Sequence, residues 1–256
     1  TSGSADFSNY VALGASFSSG DSDNALFIAS QMNSFPNTLA GAFSNIGGGE
    51  FTQPMMNDNN GGLLLNGEVY YGPRLYFNGA GPVSLDATPT TEISNILTGP
   101  FNNMGVSGIK SYQFQKQGFG NITGLGSGAN PYFVRMASSP SATVLEDAVS
   151  QSPTFFTISV MGGNDVLSYS TSGGAFGIDQ IGNQDTSTYS PYDITDPTAF
   201  NNAITGVVSA LTANGAKGVL SNVPYVTDLP FFTTVPFDAL APGLVDQPTI
   251  ELLNAQ

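Results

Sequence analysis

Short apolar runs alternate along this chain with polar, glycine-rich stretches, and the run lengths predict its elements. Tyr10-Val11-Ala12-Leu13 is a four-residue apolar run closed by Gly14, which reads as a buried strand. Polar turn chemistry follows at Ser16, Ser18, Ser19, Gly20 and Asp21. A helix is predicted from about Phe35 to Ile46. Ser34 caps its start, Leu39, Ala42, Phe43 and Ile46 share a face, and Gly47 stops it. Residues 47–100 read as an insertion. Within it, Leu63-Leu64-Leu65, Asn66-Gly67 and Val69-Tyr70-Tyr71 predict a hairpin, and a short helix is expected from about Thr90 to Leu97, before Gly99-Pro100. A second irregular stretch covers roughly 111–138.

From Ser139 the pattern is more regular. Ser141 is placed to cap a helix carrying Val144, Leu145, Ala148 and Val149, and Pro153 breaks it. Phe155 to Met161 reads as a second buried strand, followed by a Gly/Ser/Asp-rich insertion over 170–195. The clearest helix comes next. Asp196 is its N-cap, Pro197 takes the first helical position, and Phe200, Ile204, Val207, Val208 and Leu211 share a face before Asn214-Gly215. Gly218 to Val223 is the strand that follows, ended by Pro224. Strands alternating with amphipathic helices predict βαβ units and a parallel sheet. Ligands of such sheets bind beyond the carboxyl ends of the strands, so the loops after Leu13, near Gly105 and after Met161 are expected to converge. The chain reads as one domain over 1–256 with insertions at about 47–100, 111–138 and 170–195.

Composition narrows the function. Five Lys and Arg against 19 Asp and Glu leave a net charge of −14, which excludes a phosphate backbone as partner and gives no attraction to an anionic membrane surface. No apolar run is long enough to span a bilayer. The chain has no cysteine, so disulfide frameworks, thiol catalysis and Cys-type zinc sites are excluded. It also has no histidine, which removes the commonest general base and the commonest transition-metal ligand. No cofactor and no metal is expected. Asp21-Ser22-Asp23-Asn24 and Asn57 to Gly61 carry oxygen ligands that calcium uses, but without EF-hand spacing they read as solvated loops. The charged fraction of 9%, with 31 Gly and 16 Pro, suits a loop-rich extracytoplasmic protein, and composition alone is equally compatible with a β-rich surface adhesin.

Three loops carry candidate chemistry: Gly14-Ala15-Ser16-Phe17-Ser18 after the first strand, Asn103-Met104-Gly105-Val106-Ser107-Gly108, and Gly162-Gly163-Asn164-Asp165 after a later strand. In order and context they resemble the first three sequence blocks of the SGNH (GDSL-like) ester hydrolases. The stretches Tyr-Val-Ala-Leu-Gly, Gly-Pro-Phe-Asn-Asn-Met-Gly-Val-Ser-Gly, Asn-Asp-Val-Leu-Ser-Tyr and Val-Thr-Asp-Leu-Pro-Phe-Phe-Thr-Thr-Val-Pro are similar to GDSL-type lipoproteins of Bacteroidota outer membranes. The resemblance covers essentially the whole chain. It implies a three-layer α/β/α, flavodoxin-like SGNH fold with a parallel sheet and long loop or hairpin insertions. It implies Ser16 as nucleophile, with the backbone N–H groups of Ser16 and Gly108 and the side-chain amide of Asn164 as oxyanion-hole donors; Asp165 beside Asn164 reads as a capping residue. The partner implied is a small-molecule, lipid or carbohydrate ester, and the location extracytoplasmic, at the outer membrane or cell surface, with an outer-membrane complex or a lipid anchor upstream of Thr1 left open.

The departures are as informative. Ala15 stands where the family has Asp, Phe17 where it has Leu, and the late Asp-x-x-His block is missing because no histidine exists. A neutral serine hydroxyl without a base is a poor nucleophile. Two expectations follow: the sequence is an N-terminal portion of a longer ester hydrolase, or the chain is a non-catalytic binding or assembly module on the same fold.

Overall fold

The computed structural model describes residues 3–234 and 246–254. Its centre is a parallel sheet in the order β6-β1-β7-β8. Strand β1 (Tyr10–Gly14), buried throughout, leads into the single turn of α1 (Ser16–Ser19), then α2 (Ile28–Met32) and α3 (Phe35–Ser44). Two small hairpins follow, β2 (Leu63–Leu65) with β3 (Glu68–Tyr71) and β4 (Leu75–Phe77) with β5 (Pro82–Ser84). The chain returns to the sheet at β6 (Asn103–Gly105), passes through α4 (Pro131–Val134) and α5 (Val144–Ser150), and enters β7 (Phe155–Ser159). Helix α6 (Gly163–Thr171), α7 (Pro197–Thr212), the exposed edge strand β8 (Lys217–Leu220), α8 (Pro230–Thr233) and α9 (Gln247–Asn254) complete it.

Period-2 alternation sends side chains of one strand to opposite faces. Val11, Leu13, Phe156 and Ile158 pack with Val144 and Ala148 of α5 and with Val207 and Leu211 of α7. Tyr10 and Ala12 pack on the other face against Ala40, Phe43 and Phe155, with the Phe43 ring edge-on to both Tyr10 and Phe155. The sheet therefore has helices on both sides and is an α/β fold. In chain order its parallel strands lie 2-1-3-4, the flavodoxin-like arrangement, whose strand order reverses between β1 and β7. A β-rich adhesin, which composition alone allowed, is not this fold. Among the described residues no helix is long and apolar enough to cross a membrane.

The predicted strands and the principal helices are present, with corrections. Helix α3 starts at the Ser34 cap, whose Oγ accepts from Asn37 N, but its buried positions are Pro36 and Ala40, while Ala42 and Ile46 are exposed. No helix forms over Thr90 to Leu97. Leu64 N donates to Thr91 O and Ile93 N to Leu64 O, so this backbone is spent bridging to β2. The cap of α5 is Thr143, not Ser141. Thr143 Oγ1 accepts from Glu146 N, and Glu146 Oε2 accepts from Thr143 N, a reciprocal capping box. Strand β7 ends at Ser159 rather than Met161, because Val160 turns to φ +46°. Strand β8 covers Lys217–Leu220 rather than 218–223. For α7 the cap is as expected, with Asp196 Oδ1 accepting from Thr198 N and Ala199 N and Pro197 at its first position.

Candidate functional site

Gly14 and Gly105 are glycines because α1 lies against the strand ends. A β-carbon on Gly14 would collide with Ser18 Oγ and Ser159 Oγ, and one on Gly105 with Ser19 N. Ser18 Oγ donates to Leu13 O (2.8 Å) and so accepts from Ser159 Oγ (2.7 Å), which joins β1, α1 and β7. Asn103 Nδ2 donates to Ser18 O while its Oδ1 accepts from Gly105 N, which joins β6 to the same turn. In register, Gly14 pairs with both Gly105 and Ser159, so the three strand ends are level.

Ser16 is the first residue of α1, with Ala15 at the cap position. Its carbonyl oxygen accepts from Gly20 N, Asp21 N and Ser19 Oγ, so its backbone is tightly held. Its own side chain is half-buried and takes no part in the serine network that ties down Ser18 and Ser19. That network continues from Ser19 Oγ to Ser107 Oγ (2.8 Å) and from Ser107 Oγ to Asp21 Oδ2 (2.8 Å). Burial raises the Asp21 carboxyl above its ordinary pKa, and the bond from Ser107 opposes that rise.

Ser16 and Asn164 line one pocket of about 80 Å³ at the carboxyl ends of β1 and β7. Phe17, Val160, Gly163 and Leu167 complete this side of it, and residues from 223–229 close the other. This is the point where the strand order reverses, the usual ligand position of such sheets. Asn164 Nδ2 donates to Ile109 O at 2.9 Å, which holds the loop after β6 against the first turn of α6 and leaves the second amide hydrogen unassigned. Gly108, one residue earlier, is exposed at φ +81° and is not part of the pocket wall. Among the described residues neither the Ser16 nor the Gly108 backbone N–H is consumed by an internal hydrogen bond. The structure thus brings Ser16 and Asn164 together and sets Gly108 in the adjoining loop.

Two features were not legible beforehand. Val160, in the pocket wall, adopts left-handed backbone, which for a β-branched residue costs about 1–3 kcal/mol. The second is a buried brace behind the loop of Gly108. Asp165, expected as a cap, instead receives Ser111 N (2.9 Å) and Ser111 Oγ (2.6 Å). Buried Lys110 donates to Asp193 O (2.7 Å). Burial pushes its ammonium pKa down, and Asp165 and Asp193 push back. The insertion over 170–195 is therefore anchored to the loop through Asp193, whose carboxylate accepts from Ile178 N, Gln180 Nε2, Ser190 N and Ser190 Oγ.

Among the described residues no Asp, Glu, Lys or Tyr lines the Ser16 pocket. Among the described residues no three acidic side chains lie close enough to hold a metal. A larger cavity of about 450 Å³ lies between residues 96–101 and α5, with Met104 in its wall and neither Ser16 nor Asn164. Fold and site together define a parallel-sheet α/β protein with a serine and an asparagine amide in a small pocket at the reversal point of the sheet. No family model, curated protein or solved structure matches this chain.

Proposed function

We propose that the protein is a serine ester hydrolase in which Ser16 is the nucleophile and the Ser16 N–H, Gly108 N–H and Asn164 amide form the oxyanion hole. The observation that carries this reading is that Ser16 and Asn164 share one pocket at the point where the strand order reverses. In the reaction Ser16 Oγ attacks the acyl carbonyl, the Oγ–H proton passes to a base, and the carbonyl oxygen becomes an oxyanion. Fixed donors about 3 Å from that oxygen are worth roughly 10²–10³ in rate each. Collapse of the intermediate expels the alcohol and leaves an acyl-serine, which water cleaves. The described residues supply no base: the sequence holds no histidine, and no described titratable side chain lines the pocket.

The apolar wall of Phe17, Val160 and Leu167 supports a lipid or other acyl ester as substrate, with a carbohydrate ester as the alternative. The low charged fraction supports an extracytoplasmic, outer-membrane or cell-surface location. The second reading, a non-catalytic binding or assembly module, is favoured by one observation, the combination of Ala15 with the absent base.

Chemical rescue separates the two. Imidazole added to the protein is expected to start p-nitrophenyl acetate hydrolysis and to leave an acetyl group on Ser16, visible by mass spectrometry. Ser16→Ala is expected to lose both. Equal rates for the two proteins at every imidazole concentration, with no acylated Ser16, refute catalysis and leave the module reading.

A further inference from the structure

A small, enclosed cavity lies where α1, β6, α2 and the end of α4 meet. Ser19, Gln31, Asn103, Gly105, Tyr132 and Arg135 are among its walls. Its volume of about 10 Å³ is room for one water-sized or slightly larger guest.

Arg135 is 2% exposed, and no described carboxylate pairs with it. Its guanidinium donates to Met55 O (2.8 Å) and to the weakly accepting Met56 Sδ (3.1 Å), while Nε has no partner. Buried charges are normally paired, since desolvation of a lone ion costs several kcal/mol. Burial lowers the Arg135 pKa to about 10, with only Tyr132 opposing, the mark of an uncompensated cation.

The other polar walls are neutral and already hydrogen-bonded to one another or to backbone. Gln31 donates to Pro54 O and accepts from Met56 N. Asn103 donates to Ser18 O and Gln53 Oε1 and accepts from Gly105 N. Ser19 Oγ bonds Ser16 O and Ser107 Oγ. What remains without a partner is Arg135 Nε, on the buried guanidinium that forms one wall. A water there would leave the charge of the guanidinium uncompensated, and an anion would not.

We propose that this cavity binds a single inorganic anion of halide size, with Arg135 as its counter-charge. The ion would neutralise the buried guanidinium and join α1 to the end of β6.

Crystals of the protein grown in sodium bromide are expected to show a bromine anomalous peak in the cavity beside Arg135. A peak confined to the surface, or density refining as water alone, overturns the proposal. In solution, thermal unfolding in sodium chloride or bromide is compared with sodium gluconate at equal ionic strength. The halides are expected to raise the midpoint by about 2–4 °C for each kcal/mol of binding energy. Arg135→Met is expected to abolish that difference, and Arg135→Gln serves if the methionine variant does not fold. Equal midpoints in halide and gluconate, or a halide shift that persists in the variant, also overturn it.

Discussion

Asn164 Nδ2 lies 2.9 Å from the carbonyl oxygen of Ile109, and this one bond ties the loop after β6 to the first turn of α6. The bond orients the amide that shares a pocket with Ser16 and fixes the residue next to Gly108. Asn164→Ala is expected to cost about 1 kcal/mol of stability. With an external base supplied, it is expected to lower Ser16 acylation by about 10²–10³. Asn164→Asp, similar in shape but without the amide donor, is expected to lower acylation as severely. Urea denaturation and acylation rates by mass spectrometry check the two effects separately.

Gly105 and Gly108 belong to the same loop but are glycines for different reasons. A β-carbon on Gly105 would sit inside the packing of α1 against β6, so Gly105→Ala is expected to destabilise by about 1–3 kcal/mol. Gly108 has open space, with Asn130 Nδ2 nearest at 4.0 Å, but a φ of +81°. Gly108→Ala is expected to cost about 1–2 kcal/mol from backbone strain alone. Gly108→Asn, which tolerates left-handed backbone better, is expected to recover part of it. Denaturation midpoints of the three variants rank them.

Asp165 supports the loop from beneath. Asp165→Ala strips partners from the Ser111 N–H and hydroxyl and removes a nearby negative charge from buried Lys110. A loss of about 3–5 kcal/mol is expected, the scale of breaking a buried charged network. Ser111→Ala removes only the hydroxyl bond and is expected to cost less. Chemical denaturation of both variants tests the order.

Asp193 contributes a pH dependence. Burial alone would raise its pKa, but bonds from Ser190, Gln180 and Ile178 overcome that and hold it at about 2. The folded value is depressed below the unfolded one of about 3.9. Its stabilising contribution is therefore complete above about pH 4 and is lost as pH falls through about 2. Asp193→Asn is expected to flatten the acid side of the stability curve in that interval. Unfolding free energies measured between pH 2 and 5 check this.

Much of the frame was legible because its signals are local. The run Tyr10 to Leu13, the Asp196-Pro197 start of α7 and the Asn66-Gly67 turn act within a few residues of themselves, through burial, capping and backbone geometry. The three loops could likewise be picked out as a set, because a parallel sheet gathers the carboxyl ends of its strands at one edge.

Where a distant partner decided, the pattern misled. Thr90 to Leu97 lost its helix to hydrogen bonds with Leu64, some thirty residues away. The buried side of α3 was set by the sheet face beneath it. Ser111 as the partner of Asp165, the charge of Arg135 closed into the interior and the left-handed turn at Val160 have no local signature. What the sequence by itself determined is the order of the sheet strands, the caps of α3 and α7 and the candidate serine at the first strand end, since each follows from neighbouring residues. Only the tertiary structure decided that Ser16 and Asn164 share a pocket and that no described acid or base lines it, because side chains 148 positions apart meet only once the sheet has assembled.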